Sequence, residues 1–200
     1  MACNPVGAAE RRLNQFEKIR RLDEVTDLLL ALGTDEITAQ VNAQCPPMPA
    51  GEFIDIIDQT AVHPSLEGYT NAAERRFAQV VTTLQNAGEA SIEEISLAVY
   101  QAGMEIGLLP MDTAEEAYEA LGLDILDGMP CDETVRVLES GADLVRWQQV
   151  ADLHSAHWEA AGGDPKQYRF LLRSYCDGLL SGTEYRLTSD GEGIYTLSRG

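Results

Sequence analysis

Basic side chains are scarce in this sequence. Over 200 residues, 14 lysines and arginines face 33 aspartates and glutamates, leaving a formal charge of -19. Non-specific binding to nucleic acid needs a positive footprint, so nucleic acid is not an expected partner. Lysine is almost missing, with only Lys18 and Lys166 present. The stretch from Phe77 to Val135 has no base at all and carries twelve acids. Such a surface keeps a protein soluble by self-repulsion, and it also suits a basic partner surface. Long apolar runs are absent too. None approaches the roughly 18 residues of a membrane span, so no membrane association is expected. The opening Met-Ala-Cys-Asn-Pro has neither a basic nor an apolar leader region. A cytoplasmic location, or a virion if the protein is viral, is the expectation.

Cysteine is sparse and dispersed. Cys3, Cys45, Cys131 and Cys176 form no C-x-x-C pair and no zinc-type spacing, so reduced thiols are expected. The phosphate-cradling, dinucleotide, nucleophile-elbow and zinc-protease motifs are likewise missing. Most common nucleotide and hydrolase functions lose their simplest sequence support, and no cofactor is expected.

Helix signals dominate what is present. A first helix is expected from about Ala8 to Leu32, stopping at Gly33. Leu13, Phe16, Ile19, Leu22, Val25 and Leu28 recur every third residue along it. Each step of three turns a helix by about 300°, so this stripe drifts around the cylinder. One flat partner cannot cover it, and different neighbours must take its two ends. Thr34 caps a short second helix through Val41, and Cys45-Pro-Pro-Met-Pro-Ala-Gly51 follows as a stiff, extended connector. The expected organisation is an N-terminal helical arm (1–45), a proline-rich connector (46–51), a helical body (52–182) and a C-terminal β-hairpin (183–200).

Within the body, a short segment over Phe53–Val62 is expected to end at His63-Pro64. Asn71-Ala-Ala-Glu74 opens a helix with a stripe of Phe77, Val80, Val81 and Leu84, ending at Gly88. Ala8-Ala-Glu-Arg-Arg-Leu13 and Ala72-Ala-Glu-Arg-Arg-Phe77 look alike, which reads as a recurring helix start. Ser91-Ile-Glu-Glu94 is a capping box, and Thr113–Leu121 is a further short helix. Asp132–Ala160 is expected as one long helix, or two broken near Gly141. Asp164-Pro165 starts another, with Tyr168, Leu171, Leu172, Tyr175 and Leu179 on its buried face. Glu184–Thr188 and Ile194–Ser198 flank Ser-Asp-Gly-Glu-Gly as a hairpin. The fold class is therefore mainly α, a multi-helix body with a small C-terminal hairpin and an N-terminal helical arm.

Candidate chemistry is thin. His154 and His157, three apart on the expected long helix, are within reach of one metal ion. Two ligands without a third argue instead for a histidine packed between Trp147 and Trp158. Cys131 before Asp132-Glu-Thr sits where a helix N-terminus lowers a thiol pKa, but the acids beside it oppose that. It reads as a cap or a buried thiol. Asp55 with Asp58, and Asp124 with Asp127, are i,i+3 carboxylate pairs that read as solvated faces. Lys166, Arg169 and Arg173 lie opposite the apolar stripe of their helix. With Leu179-Leu180, Tyr185–Thr188 and Gly191 behind them, this segment resembles the wing of winged-helix regulators, which implies a transcriptional regulator as one alternative. A metal- or thiol-dependent enzyme is a second. The leading expectation is a non-enzymatic interaction or assembly protein, such as a structural subunit of a phage virion. It would bind a protein partner or itself through Leu13, Phe16, Ile19, Leu22 and Val25.

Overall fold

Side-chain caps at Thr34, Ser91 and Thr113 open three of the helices. The computed structural model describes residues 5–200, and Cys3 lies outside them. Helix α1 (Pro5–Leu30) is followed by α2 (Asp35–Gln44), where the Thr34 hydroxyl accepts the Ile37 N–H at 3.3 Å. A single turn, α3 (Phe53–Ile56), leads to the long α4 (Val62–Ala87), which closes on Gly88 with φ 71°. Helices α5 (Ile92–Ile106) and α6 (Ala114–Asp124) both open with complete capping boxes, Ser91/Glu94 and Thr113/Glu116. The chain is mainly α, with a small four-stranded antiparallel sheet towards its C-terminus.

Two expectations about element boundaries fail. His63-Pro64 does not end a helix; it lies in the first turn of α4. There a proline is tolerated, because first-turn N–H groups have no intrahelical acceptor. Ala72–Phe77 is consequently mid-helix and not a helix start. The larger correction concerns residues 132–160, which form no long helix. They form β1 (Val135–Ser140) and β2 (Leu144–Gln149), then the short α7 (Ser155–Ala161). The segment Val-Arg-Val and Leu-Val-Arg-Trp alternates with period two, and Gly141-Ala-Asp143 supplies the turn. Helix α8 (Lys166–Leu179) and the expected hairpin, β3 (Tyr185–Ser189) with β4 (Ile194–Arg199), complete the chain. The strand order is β1-β2-β4-β3, all antiparallel. Segment 52–182 thus contributes half of the sheet.

The middle of the α1 stripe, Phe16 to Val25, is covered from within the chain, while Leu13 and Leu28 at its two ends stay exposed. Phe16 and Ile19 are buried with Ile57, Leu66, Ala73, Leu126 and Met129 in a smaller cluster. One turn further on, Val25, Leu29 and Leu30 enter the main core, with Leu22 touching both. Two neighbourhoods cover one helix, as a 300° step demands. The helix lies along α4 and also touches α5 and α6, so segment 1–45 is not detached from the body. The proline connector is tied back as well: the Met48 N–H donates to the Asp23 carboxylate at 2.8 Å.

Helices α5 and α8 cross at very short range. A Cβ on Gly103 would stand 2.4 Å from the Tyr175 carbonyl, and one on Gly178 would stand 2.2 Å from the Tyr100 carbonyl. Only glycine permits this approach at both positions. The crossing sets α8 against the sheet, where it forms one side of a cavity.

Candidate functional site

Two buried polar residues on α4 organise the interior. Arg76, about 1% exposed, donates to Asp23 Oδ1 at 2.8 Å, Asp27 Oδ1 at 2.5 Å and Asn42 Oδ1 at 3.0 Å. It pins α1 and α2 to α4. Two residues earlier Glu74, also buried, points into the other half of the molecule.

There Glu74 meets His154, which sits at the start of α7. The His154 Nδ1–H donates to Glu74 Oε2 at 3.0 Å, and its Nε2–H donates to Asp127 Oδ1 at 3.0 Å. Tyr168 stacks on the imidazole with centroids 3.6 Å apart. Burial alone would push the His154 pKa down, but hydrogen bonds to Asp127 and Glu74 and their charges outweigh it and raise the pKa to about 9. The ring is therefore a cation at neutral pH, clamped from both sides. Asp127 is saturated in turn. Its oxygens accept from Thr134 Oγ1 at 2.6 Å and from Gln149 Nε2 at 3.1 and 3.2 Å. Burial would raise the Asp127 pKa, yet these donors hold it below the usual carboxylate range.

Asp127, Thr134 and Gln149 of this network line a cavity of about 340 Å³, bounded by α1, α6, the 125–134 loop, the sheet and α8. Strand periodicity places Trp147 and Tyr195 opposite each other on the helix-facing side, stacked at 5.6 Å and 15°. Tyr118 of α6 leans on Trp147 at 4.9 Å. The three rings form a continuous aromatic wall. Facing the cavity from α1 is Lys18, whose pKa burial lowers against the pull of Asp127 and Asp124. Lys18 forms no ion pair among the described residues. The Cys176 thiol also lines the cavity, and burial pushes its pKa up to about 12, so it stays protonated.

The sequence-derived candidates fall elsewhere than expected. Phe16, Ile19 and Val25 are buried in the chain's own core and Leu22 is half-buried against it, while Leu13 is exposed. None of the four inward residues is presented to a partner in this conformation. Trp147 lies on β2 and shares no helix face with His154 and Trp158; Trp158 instead packs edge-on against Phe77. His154 faces two carboxylates on opposite ring nitrogens, so these cannot converge on one ion. His157, whose pKa burial lowers, is not part of the network. No set of three potential metal ligands gathers among the described residues. Cys131 is neither buried nor a helix cap: it is exposed, in a turn before β1. Asp55 and Asp58 are solvated, but Asp124, at the end of α6, and Asp127, in the loop after it, are both half-buried. The signal that could have found Glu74 and Arg76 was their place on the apolar face of α4, between Ala73 and Phe77.

No family model, curated protein or solved structure matches the chain. No helix among the described residues is long and apolar enough to cross a membrane.

Proposed function

We propose that this chain is a non-enzymatic binding protein whose cavity holds a small, ring-bearing organic acid. The observation that carries this is the pairing, in one cavity of about 340 Å³, of the Tyr118–Trp147–Tyr195 wall with the Lys18 ammonium. The volume sits at the low end of ligand pockets, which span about 300–1,000 Å³. A planar ring stacks on the wall, and a carboxylate on that ring approaches a partly buried ammonium that forms no direct ion pair among the described residues. Asp127 offers no competing site for a cationic ligand, since its oxygens are already taken by four donor contacts. His154 has both nitrogens engaged and the Cys176 thiol is protonated, so neither is poised as a base or a nucleophile.

The test is a tryptophan-fluorescence titration with benzoate, indole-carboxylate and naphthoate, each beside its neutral amide. The acids should bind saturably and at least about tenfold tighter than the amides, a difference of about 1.4 kcal/mol. Lys18→Met should erase that preference without unfolding the chain. Equal binding of acid and amide, or no binding of any ring acid, would count against the proposal.

A second role, self-association into a larger assembly, a virion included, is favoured by a different feature. Strand β1 leaves one edge of the sheet unpaired, and all six of its residues are exposed.

A further inference from the structure

We infer that the unpaired edge of β1 is a self-recognition element, on which a second copy of this chain adds its own β1 antiparallel to form an eight-stranded sheet. This rests on the assembly role and does not depend on the cavity being occupied, although Val135 at the start of β1 also lines it. Six exposed residues in a row are unusual for a strand, and three of them, Val135, Val137 and Leu138, are apolar. Isolated exposed apolar residues need no explanation, but a row of them along a free strand edge is a template for pairing.

The choice of a second copy comes from the pattern of charges. A two-fold axis between Val137 and Leu138 sets Val137 opposite the mate's Leu138, Val135 opposite its Ser140, and Arg136 opposite its Glu139. Symmetry makes every such pairing occur twice. In a regular strand, residues three apart point to opposite faces, and Arg136 could never meet Glu139. Here the strand carries a bulge between Val137 and Glu139, where the pairing register shifts. Arg136 pairs with Gln148 and Glu139 with Arg146, which lie two apart on one strand and hence on one face. The bulge thus brings Arg136 and Glu139 to the same solvent-facing side. On pairing, Glu139, already 3.6 Å from Arg146, would also face the mate's Arg136. Opposite charges directly across two strands stabilise the pair, and like charges there destabilise it.

The other edge of the sheet is less open. On β3 the Arg186 guanidinium donates to the Tyr185 carbonyl at 2.7 Å, occupying that edge acceptor, and to the Thr183 carbonyl just before the strand at 2.9 Å. A six-residue strand pair buries less than the roughly 800 Å² per partner of a standard interface, so the dimer should be weak and concentration-dependent.

The experiment is sedimentation equilibrium of the whole chain from about 10 μM to about 1 mM, bracketing a weak dimer. A monomer–dimer equilibrium is expected. Arg136→Glu and Glu139→Arg should each weaken it about tenfold or more, because each reversal places two like-charged pairs across the axis. The doubly swapped chain should recover the dimer to within about threefold of the original, since the swap restores opposite charges. Leu138→Lys should weaken it as well. All three positions are exposed, and far-UV circular dichroism should show the monomer fold unchanged. A chain that stays monomeric at every concentration overturns both this inference and the assembly role. A dimer indifferent to the reversals overturns the β1 register while leaving self-association standing.

Discussion

Two buried ionic nodes, two residues apart on α4, hold the two halves of this molecule in different ways. Arg76 reaches back to α1 and α2, while Glu74 reaches forward to His154 and Asp127. The arginine is permanently charged, and one cation is shared among three acceptors. The histidine is a cation only because two carboxylates make it one. The first node should therefore be indifferent to pH across the neutral range, and the second should not. A helix that carries both joins a fixed half, α1–α2, to a titratable half that includes the cavity.

Several measurements break or sharpen that contrast. Deleting residues 1–48 removes Phe16, Ile19, Val25 and Leu29 from the core and both carboxylates from Arg76. The remainder is expected to lose cooperative thermal unfolding altogether. Survival of a sharp transition would show that α1 is a detachable arm after all. Next in size, Arg76→Met should cost about 3–5 kcal/mol by urea denaturation, because it strands Asp23 in a partly buried site. That cost should be the same at pH 8 and pH 9, above the range where Asp23, whose pKa burial raises, can take up a proton; a strong pH dependence there would dissolve the distinction between the nodes.

His154→Gln should cost on the order of 3 kcal/mol at neutral pH, the scale set by a shift from 6.5 to about 9. The direction comes from linkage. A folded pKa above the unfolded one means protonation stabilises the fold. The His154 contribution is whole below about pH 6.5, falls as pH rises towards 9 and is gone above it. The variant should therefore show a flatter stability profile over that window, and an unchanged profile would mean that His154 is not the titrating group. Asp127, depressed in the fold, contributes the opposite way, its share fading as pH falls below the usual carboxylate range. The smallest effect is expected at Leu13, exposed at the wet end of the α1 stripe. Leu13→Gln should stay within about 0.5 kcal/mol, whereas a substantial loss would reveal a partner for that residue.

Legibility from the amino-acid order varied by region for identifiable reasons. The capping box at Ser91 and the Thr34 cap are legible because each is closed by residues three apart; the Thr113/Glu116 box has the same spacing but is identified only from the structure. The β3–β4 hairpin was readable from its glycine loop and alternation. Residues 135–149 resist local reading because Val135, Leu138, Val145 and Trp147 fit a helical spacing loosely as well as an alternating one, and only strand pairing decides between them. The aromatic wall was invisible for the same reason: Trp147 and Tyr195 are 48 residues apart and meet only through strand pairing. Lys18 was visible only as one of five bases near the N-terminus.

Sequence alone determined the capped starts of α2 and α5, the acidic surface and the drift of the α1 stripe. These are local or additive properties, fixed by neighbours within one turn or by simple charge counting. Tertiary structure decided what covers that stripe, and the cover is the chain's own core, since burying Phe16 and Ile19 against α4 removes their apolar surface from water without a partner. It also decided that Glu74, Arg76 and His154, each ordinary in its own segment, share the interior. A buried charge is tolerable only beside its complement, and the complements lie 80 and 53 residues away along the chain, where no local pattern reaches.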